Sequence, residues 1–197
     1  MATVVKSIRT RKTQGGKSLL ISLSIDTADG YKEYTISEGT YREIGCPLSD
    51  DIIDEEALSR IAFADELLRA RRKALGVLSY GDNSEKNLRL KLLRSGARAA
   101  IADEVAREMV SLGYVNDKRQ IEDLALKYST SLFGRRKIVA KLLEKGYARE
   151  DVNAALTALS KDGRIDFKKN AALLIEKKLT PPYTREDVKK LLYKNGY

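Results

Sequence analysis

Hydrophobic and polar residues alternate at a period of two over the first 40 residues of the chain. Every second residue from Leu19 to Ile25 is apolar, which predicts a strand with one buried face. A second strand with Tyr34 and Ile36 follows the Asp29-Gly30 turn, and a third is predicted over Val4 to Arg9. The pattern indicates a small N-terminal antiparallel β-sheet.

The spacing of apolar residues changes to a helical one at about Asp54. A connecting helix is predicted from there, and its apolar face packs either on the sheet or on the next helix. The apolar residues that define this face are Leu58, Ile61, Ala62 and Leu68.

From residue 68 onward the sequence repeats itself every 50 residues. Glycines and apolar residues recur at equivalent positions of three copies: Gly96, Gly146 and Gly196; Leu92, Leu142 and Leu192; Leu88, Ile138 and Val188. The first two copies are complete. The third copy contains only the first two of its three helical segments.

Each complete copy is divided by turn residues into three amphipathic helices. In the second copy these helices are predicted over residues 118–131, 135–145 and 149–161, with Gly146 as a left-handed C′ residue and Gly163 ending the third. Residues suited to N-caps precede predicted helices: Ser84, Asp117 and Thr184.

The predicted fold class is mainly α, with tandem three-helix repeats in an elongated arrangement and a small N-terminal antiparallel β-sheet. Elongation is expected because short repeats bury their apolar faces against neighbouring copies. We predict a β segment over residues 1–48 and a connecting helix over 49–67, followed by repeats at 68–117, 118–167 and 168–197, the last one incomplete.

Charge is distributed unevenly along the 197 residues. Residues 1–67 carry 8 Lys and Arg against 12 Asp and Glu, a net charge of −4, whereas residues 68–197 carry 29 against 16, a net charge of +13. A basic block of this size favours binding to phosphate groups or to an acidic protein surface. A solvated lysine-rich helical face without a partner is the alternative.

Basic residues also recur at equivalent positions of the repeats, which predicts a positive stripe for a protein filament or a nucleic-acid backbone. Copies that merely inherit a solvated face would show the same recurrence. Aromatic residues in the loops after the first helix of each copy are candidates for stacking on bases: Tyr80, Phe133 and Tyr183. The candidate partner-binding or DNA-binding residues are Arg69, Arg119 and Lys169, Lys91 and Lys141, and the cluster of Arg135, Arg136 and Lys137.

Catalytic and membrane functions find little support in the sequence. The chain has no histidine and a single cysteine, Cys46, which is therefore expected to be an inert thiol in a reducing cytoplasm. No apolar run is long enough to cross a bilayer. The segment Gly15 to Ser18 resembles the end of a P-loop, but it leads into a strand and is interpreted as a hairpin turn. No metal or cofactor is expected.

Three segments of the repeats together resemble the RecX family of bacterial RecA regulators: SEKNLRLKLLRSG at 84–96, LGYVND at 112–117 and GRRKIVAKLLEKGY at 134–147. The resemblance covers about residues 64–197. It implies a regulator without catalytic residues that lodges in the groove of the RecA filament on single-stranded DNA. A cytoplasmic monomer is expected. Binding there would hinder ATP turnover, strand exchange or filament growth. The alternative hypothesis is a helical-repeat protein that binds the DNA backbone directly, without RecA.

Overall fold

The computed structural model describes residues 2–12 and 19–197. The predicted hairpin turn at Gly15 to Ser18 lies outside the described residues. Strands β1 (Thr3–Lys12), β2 (Leu19–Thr27), β3 (Gly30–Ser37) and β4 (Ile52–Ile53) form an antiparallel sheet in the order β3-β2-β1-β4.

The rest of the described chain is mainly helical. The helices are α1 (Glu38–Glu43), α2 (Glu55–Ser79), α3 (Glu85–Arg94), α4 (Ala99–Ser111), α5 (Asp117–Thr130), α6 (Arg135–Glu144), α7 (Arg149–Lys161), α8 (Phe167–Lys178) and α9 (Arg185–Lys194). The predicted class, mainly α with a small N-terminal antiparallel sheet, is confirmed. None of the helices in the described ranges is both long and apolar enough to span a bilayer.

The chain folds into two compact units. The sheet unit comprises residues 2–12, 19–76 and 92–105, and the repeat unit comprises Val77–Lys91 and Ala106–Tyr197.

The core of the sheet unit follows from the alternation in β2. Ile21, Leu23 and Ile25 are buried on one face, together with Ile36 of β3 and Ile61 of α2. Alternate residues of a strand point to the same side, so one helix can cover them all. Of the two packing surfaces predicted for the connecting helix, the sheet or the next helix, Ile61 and Leu58 pack on the sheet.

Three features of the sheet unit differ from the sequence prediction. β4 and α1 were not predicted. With two and six residues they are too short to show a periodic pattern of apolar residues. The boundary predicted between residues 67 and 68 falls inside α2, which is continuous from Glu55 to Ser79. Gly76, the glycine within α2, adopts a helical conformation and does not interrupt the helix.

The second copy forms the core of the repeat unit. Ile138 and Leu142 of α6 pack with Val152 and Leu156 of α7, and all four side chains are completely buried. Gly146 follows α6 with a φ of +88°, as predicted for a C′ glycine. The prediction of Asp117 as N-cap is wrong, because Asn116 holds that position and its side chain accepts the Arg119 N–H. The neighbouring asparagine and aspartate are both good N-caps, so sequence does not distinguish them.

Candidate functional site

The turn after α6 contacts the N-terminus of α3. These two helices belong to successive copies, α3 to the first and α6 to the second. Ser84 Oγ donates a hydrogen bond to the Lys145 carbonyl at 2.8 Å, and Asn87 Nδ2 donates to the same oxygen at 2.8 Å. The prediction that Ser84 is the N-cap of α3 is confirmed, because its hydroxyl accepts a hydrogen bond from the Asn87 N–H. One buried serine therefore caps its own helix and holds the following copy.

An equivalent contact lies 50 residues later between α6 and the turn after α9, where backbone N–H groups donate in place of side chains. Gly134 N–H donates to the Asn195 carbonyl at 2.7 Å, and Arg136 N–H donates to the Gly196 carbonyl at 3.0 Å. Gly134 is equivalent to Ser84, and Asn195 is equivalent to Lys145. We call these two contacts the docked turns. They link copies one and two, and copies two and three, through the same positions of the repeat.

The tyrosine at the end of each docked turn anchors it. Tyr147 is 4% exposed and its hydroxyl donates to Gln120 Oε1 at 2.8 Å, while burial raises its pKa to about 12. The equivalent Tyr197 donates to the Leu132 carbonyl at 3.2 Å. Both tyrosines therefore have a structural role, as expected from their position after a C′ glycine.

The basic cluster at the start of α6 makes contacts inside the protein. Arg135 Nη2 donates to Thr157 Oγ1 of α7 at 2.9 Å. Arg136 donates to the Tyr197 main-chain oxygen, and its guanidinium lies 5.0 Å from the ring centre of Tyr193. Lys137 Nζ lies 3.4 Å from Asn195 Oδ1. These candidate residues thus contribute to the helix packing and to the second docked turn.

Lys137 and Lys141 share the ring of Phe133. Their Nζ atoms lie 4.3 and 5.5 Å from its centre, and Lys141 also lies 5.6 Å from the ring of Tyr128. Phe133 is half-buried against the core of the second copy. Its ring is therefore engaged within the protein, whereas Tyr80 is 95% exposed.

Arg69 differs from its repeat equivalents because it belongs to the sheet unit. Its Nη2 atom lies 2.6 Å from Asp65 Oδ2, and the Asp65 side chain is only 6% exposed. The other carboxylate oxygen of Asp65 accepts the Thr35 N–H of the edge strand β3 at 2.9 Å. Arg69 therefore compensates the charge of a buried carboxylate that helps to fix α2 on the sheet.

The remaining candidates, Lys91, Arg119 and Lys169, are exposed residues of the repeat unit. Lys91 Nζ donates to Asn83 Oδ1. Arg119 Nε lies 3.7 Å from Asp123 Oδ2, and such exposed ion pairs are easily exchanged for a partner. Lys169 follows Asp166, whose side chain caps α8. Arg69 and Arg136 are exposed as well, but their guanidinium groups contact the buried Asp65 and the last docked turn, respectively.

A groove of about 730 Å³ in the repeat unit was not predicted. Its lining includes the apolar side chains of Val110, Val115 and Ile121 and several carboxylates. Asp117 Oδ1 accepts the Glu85 N–H at 3.1 Å. Burial, together with the charges of Glu85 and Asp151, raises the pKa of Asp117. The acidic residues come from three different helices, so no motif in the sequence predicts this groove.

Replacing Asp117 by asparagine is expected to raise the free energy of unfolding at pH 7 by a few tenths of a kcal/mol. The raised pKa means that the fold disfavours the ionised carboxylate, a cost that is absent at low pH and develops as pH rises through the pKa. Asparagine keeps the acceptor for the Glu85 N–H. Urea unfolding at pH 7 and pH 3 measures the difference, which should vanish at pH 3; an equal gain at both values would contradict this explanation.

Across the residues that the structure describes, no group of three or more His, Cys, Asp or Glu side chains is arranged to hold a metal ion. Cys46 is exposed in the loop before β4.

No protein-family model matches the chain. Regulatory protein RecX of Clostridioides difficile (strain 630) is 31% identical over 143 residues, which cover 72% of this chain and 65% of that protein. Regulatory protein RecX of Listeria monocytogenes serotype 4b (strain CLIP80459) is 28% identical over 129 residues, or 64% of this chain and 48% of that protein. The chain thus spans about half to two thirds of the length of these curated relatives.

Two solved structures share the fold. The crystal structure of a regulatory protein RecX aligns with a TM-score of 0.71 and 20% identity, over 99% of this chain and 94% of that one. RecX from Lactobacillus salivarius aligns with a TM-score of 0.58 and 21% identity, over 68% of this chain and 90% of that one. The repeat pattern, the sequence relatives and the fold agree, and the chain belongs to the RecX family of regulatory proteins.

Proposed function

We propose that this chain is a regulator of RecA that binds the RecA filament on single-stranded DNA and inhibits its ATPase, strand exchange or growth. The relatives are named as regulatory proteins RecX, and the resemblance of the repeats to that family implies RecA as the partner. Binding alone accounts for this role, so no catalytic residue or cofactor is needed. We propose that the protein acts in the cytoplasm as a monomer.

The observation that carries the proposal is the recurrence of the docked turns at a spacing of 50 residues. Each docked turn fixes one copy on the next through backbone and buried groups. The equivalent side chains of Arg119 and Lys169 are therefore presented within one connected repeat unit. A filament also presents equivalent surfaces repeatedly, so several weak contacts can act together through a high effective concentration.

The accessible cations of the repeats supply the chemistry for these contacts. Lys91, Arg119 and Lys169 are exposed on successive copies, with Lys141 half-buried beside Phe133. The proposal assigns the first three to the partner surface. Arg135, Arg136 and Lys137 contribute mainly by positioning α6, α7 and the last docked turn. Arg69 contributes by pairing with Asp65.

The alternative function is direct binding to the DNA backbone without RecA, and the excess of basic residues after residue 67 favours it. The two functions differ in what the protein recognises. A protein that binds only phosphate groups would bind a bare single strand at least as tightly as a strand that carries RecA.

Binding to a labelled oligonucleotide, with and without RecA, distinguishes the two functions. The filament is assembled with a non-hydrolysable ATP analogue, and the protein carries a fluorophore on Cys46, which is exposed. We expect at least tenfold tighter binding to the filament than to the bare oligonucleotide at 150 mM salt. Equal or tighter binding to the bare strand would support the DNA-binding alternative instead.

A further inference from the structure

The groove of the repeat unit combines apolar surface with an excess of negative charge. Its volume of about 730 Å³ lies in the range of ligand-binding pockets. The buried Val115 and Ile121 contribute apolar surface, and α7 contributes three alanines. One lysine stands against four acidic residues in the lining, a net charge of −3, although the whole chain has a net charge of +9. The groove therefore attracts cations on a protein that otherwise repels them.

Three of the four carboxylates have no positive partner within the protein. Glu122 Oε2 lies 3.7 Å from Arg164 Nη1. Among the residues that the structure describes, Glu85, Asp117 and Asp151 form no salt bridge. The charges of Glu85 and Asp151 add to the burial that raises the pKa of Asp117. A cation that binds among these groups would relieve their mutual repulsion.

Exposed apolar side chains border the groove at the turn between α4 and α5. Val110, which belongs to the lining, is 40% exposed. Leu112 and Tyr114 stand on either side of the lining residue Gly113 and are 59% and 56% exposed. We call Val110, Leu112 and Tyr114 the apolar rim. Single exposed apolar residues are common, whereas several at one turn are typical of an interaction surface.

The second copy contains the same turn without an apolar rim. Its three equivalent residues are Ser160, Asp162 and Arg164, all polar and exposed. The backbone is similar in both turns, with φ values of +76° at Gly113 and +71° at Gly163. The fold of the turn therefore does not require apolar side chains at these positions.

The acidic character of the groove is also specific to its place in the repeats. The positions equivalent to Glu85 and Asp117 hold Arg135 and Phe167 in the following copy. Each helix that lines the groove is followed by another helix in the described chain, so the groove lies inside the array of repeats. Folding of the repeat explains neither the carboxylates nor the apolar rim, whereas a ligand with both positive charge and apolar groups explains both.

We propose that the groove and its apolar rim are a docking site for a segment of a protein partner that carries arginine beside apolar residues. The arginine binds among Glu85, Asp117 and Asp151, because a planar guanidinium can pair with two carboxylates at once. Apolar side chains of the same segment cover Leu112 and Tyr114. A small free cation such as a polyamine would leave this rim uncovered. The site uses none of the cations assigned to RecA.

The probe for this site is a fluorescein-labelled peptide with the sequence GLARLLARLG, and its test requires neither RecA nor DNA. Fluorescence anisotropy with the full chain should show saturable binding that weakens with salt. Citrulline in place of arginine keeps the shape of the side chain but removes its charge, and this peptide should bind at least tenfold more weakly. Serine in place of leucine should cause a loss of the same size. Equal affinity of the arginine and citrulline peptides would overturn the proposal. Displacement of the peptide by an equimolar amount of spermidine would indicate a small-cation site instead.

Two double variants test the carboxylates at constant net charge. Glu85→Gln with Asp151→Asn removes two charges of the groove and should weaken peptide binding at least tenfold. Glu176→Gln with Asp162→Asn removes two exposed charges of the repeat unit that lie outside the lining. This control should keep the affinity within twofold of the original. The same loss in both variants would show only unspecific attraction of a basic peptide and would contradict the proposal.

A second pair of variants tests the apolar rim. Leu112→Asp with Tyr114→Arg introduces the residues of the second copy, leaves the net charge unchanged and should weaken peptide binding at least tenfold. Leu173→Asp with Tyr183→Arg makes the same exchanges at positions that are 41% and 45% exposed and outside the lining. This control should keep the affinity within twofold of the original. Undiminished binding to the first variant would show that the rim is not part of the site.

Discussion

Replacement of Gly134 by alanine is expected to lower the free energy of unfolding by about 2–4 kcal/mol, a large effect for a single methyl group. A Cβ atom at this position would overlap the main-chain carbon and oxygen of Gly196 and lie 2.6 Å from the Tyr197 nitrogen. Both partners are backbone, so no side-chain rotation relieves the overlap. The docked turn after α9 must move away and lose its hydrogen bonds to Gly134 and Arg136.

The conformation of Gly134 makes this test specific. Its φ is −73° and its ψ is 166°, values that alanine adopts without strain. The expected loss therefore reports the contact between two copies and not the local backbone. Urea unfolding measures the free energy, and hydrogen exchange in α9 shows whether the last helix is released first.

Gly76→Ala is the matched control. Gly76 lies inside α2 and a Cβ atom there would meet nothing within 4 Å. Alanine is the better helix former, so this variant should be more stable by up to about 1 kcal/mol. A Gly134→Ala variant as stable as the original protein would show that the docked turn contributes nothing.

Simultaneous replacement of Lys91, Arg119 and Lys169 by glutamate is expected to weaken the proposed inhibition of RecA at least tenfold. Each change converts an accessible cation of the repeat unit into an anion, and the three effects add because the residues lie on different helices. None of the three contributes to a docked turn, so the fold should remain intact. The concentration that halves RecA ATP hydrolysis measures the effect.

Arg69 is left out of this variant for a structural reason. A glutamate at that position would face the buried carboxylate of Asp65 and destabilise the sheet unit. A control with the same change in net charge replaces Arg9, Arg11 and Lys12 of β1, all exposed, by glutamate. We expect at most a threefold effect from the control. Equal losses in both triple variants would indicate an unspecific charge effect, and parallel losses on bare DNA would favour direct phosphate binding.

Local signals predicted the helices of the repeats closely. The bounds of α6 and α7 agree with prediction to within one residue, because a glycine or a cap marks their ends. The N-cap predicted at Thr184 is also present, in a capping box with Asp187 whose hydrogen bonds lower the pKa of Asp187. Such signals act within a few residues, so the sequence alone shows them.

The contacts between copies could not be predicted from the same information. The repeat identifies Gly96, Gly146 and Gly196 as equivalent, but it does not say which surface each one meets. A Cβ atom on Gly96 would meet nothing within 4 Å, whereas one on Gly196 would overlap Lys137. For the same reason Arg136 and Lys137 were predicted only as a charged cluster, and the acidic groove around Asp117 was not predicted.

The most direct test of the account is a titration of this protein into RecA, single-stranded DNA and ATP while hydrolysis is followed. The account predicts a fall in the hydrolysis rate at protein concentrations at least tenfold below those needed to bind the same DNA without RecA. If the protein binds the assembled filament, it should lower the hydrolysis rate whether it is added before or after filament assembly. A hydrolysis rate that stays constant across the full titration would contradict the account.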